Sequence, residues 1–190
     1  MINKLNGLIQ SYSASVLSRE LNGIADIESA IRCRYVDNNG NECCCRHQYR
    51  VRKSELDQLC KKLLSEVTLI YSATNFEELY YIVANAKVKH IGSLTVYDIS
   101  LRIAYILNSE ILLPYNIVYL NAGAMAGAMA LYNKGLLNEK PSHKMNENAF
   151  GVLSKLQQLD PKEYGFPKRW TFAMLIEDFL CSKHSELADL

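Results

Sequence analysis

The sequence predicts a mainly α domain of about seven helices with one β-hairpin inserted near residues 30–51. Three observations carry this. Apolar residues recur at three- and four-residue steps over most of the chain. A single Asn39-Gly40 turn lies between two β-prone runs. Breakers are few, with 4 Pro and 9 Gly in 190 residues. The composition, 49% hydrophobic and 22% charged, is that of a globular chain and excludes collagen-like, disordered and disulfide-dense classes.

The elements follow in order. Leu5, Leu8, Ile9, Tyr12, Val16 and Leu17 form the apolar stripe of a first helix, and Ile24–Ile31 suits a short second one. Then AIRCRYV and ECCCRHQYRV flank DNNGN. A two-residue turn sets Arg34 opposite Cys45, whereas a three-residue loop ending at Gly40 sets Cys33 opposite Cys45. One step of register decides which side chains face inward. A helix from Ser54, capped through Asp57, carries Leu56, Leu59, Cys60, Leu63, Leu64, Val67 and Ile70 on its inner face. The next helix opens at Thr74 with Glu77 as its reciprocal partner. The one after opens at Thr95 with Asp98. Asp98 and Arg102, four residues apart, read as an ion pair on that helix's surface.

Pro114 ends this run, YNIVYL is β-prone, and NAGAMAGAMAL returns to helix. Its Gly123 and Gly127 suit either close helix packing or a phosphate at the helix start. The polar stretch 138–148 reads as a linker. Two shorter helices follow, near Ala149–Leu159 and Thr171–Ser182. The expected organisation is a helical core over 1–137, with 138–190 supplying a linker and C-terminal helices packed on the same domain. No apolar stretch reaches the ~18 residues of a membrane span, and MINKLNGLIQSYSA lacks an export-signal pattern. The expectation is a cytoplasmic chain without membrane contact, its six cysteines mostly reduced.

Charge is unevenly placed. The net charge is +1, which argues against a general nucleic-acid coat. Yet from Ala30 to Lys62 eight Lys and Arg stand against four acids. Arg46, Arg50 and Arg52, interleaved with His47 and Tyr49, suit a phosphate backbone; a solvated face is the other reading. Cys33, Cys43, Cys45 and His47 assemble four zinc ligands on paper. Consecutive cysteines do not match the Cys-x2-4-Cys knuckle, however, and there is no second knuckle. Free thiols and no cofactor are therefore expected.

The segment AKVKHIGSLT joins two predicted helices. With Val88, Ile91, Gly92, Thr95 and Ile99 in register, residues from Phe76 to Leu107 resemble the helix-hairpin-helix motif of DNA repair and recombination proteins. His90 stands where that motif has its first glycine. The resemblance implies sequence-nonspecific binding of the DNA backbone through Lys87, Lys89, His90, Ile91, Gly92, Ser93 and Thr95, with the basic ribbon adding charge. Backbone amides at the start of the second helix would hold a phosphate oxygen. The glycosylases of that superfamily carry a Lys just after the hairpin and an Asp about twenty residues on. Here those positions are Leu94 and Leu112, with Glu110 displaced by two, so glycosylase chemistry is not expected. The sequence holds no Walker A loop, GxGxxG, HExxH or GxSxG. Two other readings stand beside DNA binding: a protein-interaction or structural helical module, with a homo-oligomer or protein partner, and an enzyme whose site is dispersed along the chain.

Overall fold

The computed structural model describes residues 1–13, 20–45, 48–159 and 170–190. In chain order its elements are α1 (Ile2–Gln10), α2 (Ile27–Ile31), β1 (Arg34–Val36), β2 (Glu42–Cys44), α3 (Lys53–Ser65), α4 (Val67–Ser72), α5 (Phe76–Ala86) and α6 (Ser93–Ile106). A 3-10 turn (Glu110–Leu112), β3 (Ile117–Tyr119), α7 (Ala122–Asn133), β4 (Lys144–Asn146), a 3-10 run (Glu147–Gln158), α8 (Phe172–Ser182) and α9 (His184–Ala188) follow. The fold is mainly α with a β-hairpin, as the periodicity predicts. It contains a second two-stranded sheet as well, β3 with β4. Among the described residues no helix is long and apolar enough to cross a membrane. The chain divides into two compact units: one holds the described residues from Glu20 to Leu113, the other α1 and the described residues from Pro114 onward.

In the unit from Glu20 to Leu113, side-chain caps set where helices begin. Asp26 accepts the Ser29 amide at 2.7 Å and opens α2. The ribbon takes the three-residue loop: Gly40 has φ +82°, and Asp37 accepts the amides of Asn39 and Asn41, both at 2.9 Å. That loop fixes the register Arg34↔Cys44, Tyr35↔Cys43 and Val36↔Glu42. It also sets Cys45 across from Cys33, whose carbonyl accepts the Cys45 amide at 2.8 Å. Gly23 joins the ribbon edge, accepting the Val36 amide at 2.8 Å. A side chain there would press to within 2.2 Å of the Val36 carbonyl oxygen, so only glycine fits.

Several helix starts differ from the sequence expectation. α3 begins at Lys53 instead of Ser54, the Arg52 amide donating to Glu55 at 3.3 Å. It stops at Ser65, and the backbone of Glu66 (φ −119°, ψ 27°) breaks what the apolar stripe suggested was one helix to Ile70. Asn75, not Thr74, caps α5 by accepting the Glu78 amide at 2.9 Å, and Thr74 donates amide and hydroxyl to the Glu78 carboxylate at 2.8 Å. α6 begins two residues before Thr95. Helices α5 and α6 pack through Phe76 edge-on to Tyr97, with ring centres 5.7 Å apart. Every residue of α6 from Thr95 to Ala104 is buried.

In the other unit, α1 ends at Gln10, with Leu5 and Ile9 buried; Val16 and Leu17 of the expected stripe lie outside the described residues. Tyr12 is buried edge-on against Phe179, with ring centres 5.4 Å apart, and donates its hydroxyl to Asp178. The stretch expected to be a linker instead supplies β4, whose Met145 faces Val118 of β3. The segment expected as an α-helix near Ala149 is a 3-10 run interrupted at Phe150. Thr171 caps α8 by accepting the Met174 amide at 3.2 Å, and its hydroxyl donates to the Pro114 carbonyl at 2.6 Å.

Gly123 and Gly127 settle on packing. A Cβ on Gly127 would lie 2.4 Å from the Leu180 carbonyl oxygen, and one on Gly123 would lie 2.8 Å from the Cys181 sulfur. Helix α8 therefore occupies the side of α7 that these two glycines face. Gly127→Ala should cost about 1–3 kcal/mol through overpacking against backbone that cannot yield. Gly7→Ala, at an exposed position of α1 with nothing within 4 Å of the added methyl, should instead stabilise by roughly 0.5–1 kcal/mol. Urea unfolding followed by circular dichroism reads both, and equal effects would contradict this packing.

Candidate nucleic-acid interface

The hairpin between α5 and α6 is tight. Helix α5 ends at Ala86, Lys87 turns extended (ψ 145°), and the Ile91 amide closes the turn onto the Val88 carbonyl at 3.2 Å. His90 has φ +69°. The residue standing where the motif has glycine thus adopts the left-handed backbone that glycine adopts most easily. Gly92 then takes an ordinary extended conformation (φ −87°, ψ 172°) and is the N-cap of α6, its carbonyl accepting the Val96 amide at 3.1 Å. With no side chain at the cap, the first-turn amides from Ser93 onward are left uncapped by side chains.

Lys87, Lys89, His90, Gly92 and Ser93 are all exposed along this one turn. Ile91 and Thr95 are buried beneath it, so the Thr95 hydroxyl does not reach the rim. No atom lies within 4 Å of the space above Gly92. The geometry is that of an open helix start flanked by two lysines and an imidazole, which can accept one oxyanion through amides and surround it with positive charge.

Of the ribbon residues, Arg50 and Arg52 are exposed in the segment leading into α3, while Arg46 and His47 lie outside the described residues. Arg50 lies over the Tyr49 ring, 5.1 Å from its centre. What ties this segment to the hairpin helix is Gln48, which donates to Asp98, five residues after the first residue of α6.

Asp98 and Arg102 overturn the surface-pair expectation. Both are buried, Arg102 at 0% and Asp98 at 3% exposure. Arg102 donates through Nη2 to Glu20 Oε2 at 3.1 Å and to Gln48 Oε1 at 3.0 Å, and through Nη1 to the Cys33 sulfur at 3.7 Å. Gln48 is thus a relay, its carbonyl toward the guanidinium and its amide toward Asp98. Sequence patterning did not single out Glu20 or Gln48. The available signal lay in α6: apolar residues cover its whole circumference, and such a helix is buried together with any charge it carries.

The cysteines sort by the ribbon register. Cys33 and Cys45 are buried beside Arg102, Cys43 is half-buried and Cys44 exposed. Burial pushes the Cys33 thiol up to about 12, against the opposing pull of Arg102, and burial raises Cys45 likewise. These are protonated packing groups, poor nucleophiles and poor metal ligands. Burial alone would favour loss of the Arg102 proton, but Cys33, Asp98, Cys45 and Glu20 outweigh it and raise its pKa. Among the described residues no group of three or more His, Cys, Asp and Glu could hold a metal ion.

Comparison with protein-family models, with curated proteins and with solved structures finds no match. Fold and site together define a mainly α protein carrying an exposed, lysine-flanked helical hairpin over a buried arginine cluster.

Two outcomes follow for the cluster. Arg102→Leu removes the partner of a buried carboxylate and should cost about 3–5 kcal/mol in urea unfolding. The raised thiols favour folding while they stay protonated. That contribution is complete below the ordinary value of 9.0 and is lost as pH climbs toward about 12. Stability should therefore fall over that window, and the Cys33→Ala/Cys45→Ala variant should fall less steeply, by up to ~1.4 kcal/mol per pH unit for each thiol removed. Parallel pH curves would contradict the burial of these groups.

Proposed function

We propose that this protein binds DNA through its sugar-phosphate backbone, without sequence preference, at the hairpin spanning Lys87 to Thr95. One observation carries the reading: His90 reproduces, at φ +69°, the left-handed turn that lets a hairpin present the start of α6 with Lys87, Lys89 and Ser93 around it. Ile91 anchors the turn below. The amides of Ser93 and Leu94 face the phosphate, with Ile91 and Thr95 contributing only backbone. Arg50 and Arg52 add charge from the ribbon segment. Such contacts hold the backbone and read no bases. The setting is the cytoplasm, where thiols stay reduced.

Fluorescence anisotropy with a labelled duplex and a labelled single strand tests it. Affinity should fall steeply with salt, and Lys87→Glu with Lys89→Glu should flatten the slope of log K against log salt by about 2. Gly92→Val should fold normally, because its φ is ordinary and the space above it is open, yet lose binding because the side chain blocks the phosphate. His90→Gly should keep binding. Absence of binding to either DNA at ~50 mM salt, where phosphate contacts are strong, sinks the reading.

A further inference from the structure

We propose a second, separate site: a cavity between the ribbon and the start of α3 that takes a small amphipathic monocarboxylate, its apolar body inside and its carboxylate at Lys53. The cavity measures about 300 Å³, the lower end of what small-molecule sites occupy. Its lining includes Cys33, Cys44, Gln48, Tyr49, Val51 and Leu56, a mostly apolar wall in which Cys33, Gln48 and Leu56 are buried. The lining also carries three cations, the half-buried Arg32 and Arg34 and the exposed Lys53, against the single carboxylate of Asp57.

The state of those cations determines the ligand's charge. Arg32 donates to Glu28 at 2.8 Å and is also paired with Asp57, and Arg34 is paired with Glu42. Both guanidiniums are therefore already engaged with carboxylates. Lys53 is exposed and, among the described residues, has no ion-pair partner. One unneutralised cation beside an apolar chamber suits one negative charge; a dianion would have to displace the internal carboxylates.

The same four charged residues, Arg32, Arg34, Lys53 and Asp57, also line a larger, more polar cleft of about 550 Å³. That cleft also reaches Lys61 and the carboxylates of Asp26, Glu28 and Glu42. The apolar cavity thus shares its charged residues with a more polar cleft. The hairpin rim at Lys87–Ser93 belongs to neither cavity, so each reading can fail alone.

Octanoate is the probe, with octanol, octylammonium and acetate as controls, followed by methyl-resolved NMR on the full chain. Octanoate should shift the methyl signals of Val51 and Leu56 in a saturable way, whereas acetate and octylammonium should leave them in place and octanol should bind more weakly. Lys53→Glu lies at an exposed helix start where an acid is tolerated. It should weaken octanoate about tenfold, the combined loss of an attraction and gain of a repulsion, and leave octanol unchanged. Val51→Phe should abolish binding of both by filling the chamber. If Val51→Phe does not fold, Lys53→Gln, which removes the charge alone, takes its place and should weaken octanoate severalfold. The proposal is overturned if octanoate leaves Val51 and Leu56 unshifted up to millimolar concentration, or if octanoate binds the Lys53 variants as tightly as the parent. Octanoate binding is measured without DNA, so failure of DNA binding leaves this test intact.

Discussion

The unit from Glu20 to Leu113 is organised around one buried charge. A guanidinium removed from water must find its compensation inside the protein, and leaving it unpaired costs several kcal/mol. Arg102 draws that compensation from Glu20, ahead of the ribbon, from Cys33 at its entry and from Gln48 at its exit. Gln48 passes the link on to Asp98, one turn earlier on the same helix as Arg102. Three segments distant in sequence thereby converge on the middle of α6. The three-residue loop at Gly40 is part of this constraint, because a register shifted by one would turn Cys33 and Cys45 away from the guanidinium.

The other unit solves its packing by a different route. One of its close approaches is backbone to backbone, with α7 and α8 drawn together where Gly127 meets the Leu180 carbonyl. Close approach of this kind depends on absent side chains, and the core around it is built from Leu131, Phe150, Leu153, Ile176 and Phe179. A charge network tolerates small displacement poorly but specifies which segments meet. A glycine contact specifies distance and leaves the partners to apolar complementarity.

What could be read in the sequence follows from which interactions are local. The Asn39-Gly40 turn, the breaks near Pro114, the apolar stripe of α5 and that of α3 from Leu56 to Leu63 depend on neighbours within a few residues, and these were legible; Leu64, expected on the inner face, is exposed. The zinc arrangement and the Asp98–Arg102 surface pair were spacing arguments. A four-residue spacing is the same whether the pair faces water or the core, so only the apolar circumference of α6 distinguishes the two. β4 escaped because Lys144–Asn146 is polar and contributes one apolar side chain, Met145; its pairing to β3 rests on backbone groups that composition does not display. The start of α5 moved by one residue because Asn75 competes with Thr74 for the cap, whereas α6 starts after Gly92 with no side-chain cap, set by the extended backbone entering it.

The left-handed residues connect the buried cluster to the candidate interface. Non-glycine residues with positive φ are Cys33, His90, Asn108 and Asn116. The asparagines suit that conformation by side-chain type. Cys33 does not, and it is held there because its thiol and its carbonyl are both engaged, one with Arg102 and the other with the Cys45 amide. A packed environment that fixes both groups can sustain a strain of order 1–2 kcal/mol. His90 has no such enclosure; it is exposed, and the turn around it is closed only by the Ile91 amide and the burial of Ile91. A glycine would adopt this backbone at less cost, so the fold alone gives no reason for histidine. Histidine places an exposed imidazole in the same turn as Lys87 and Lys89, just ahead of the start of α6.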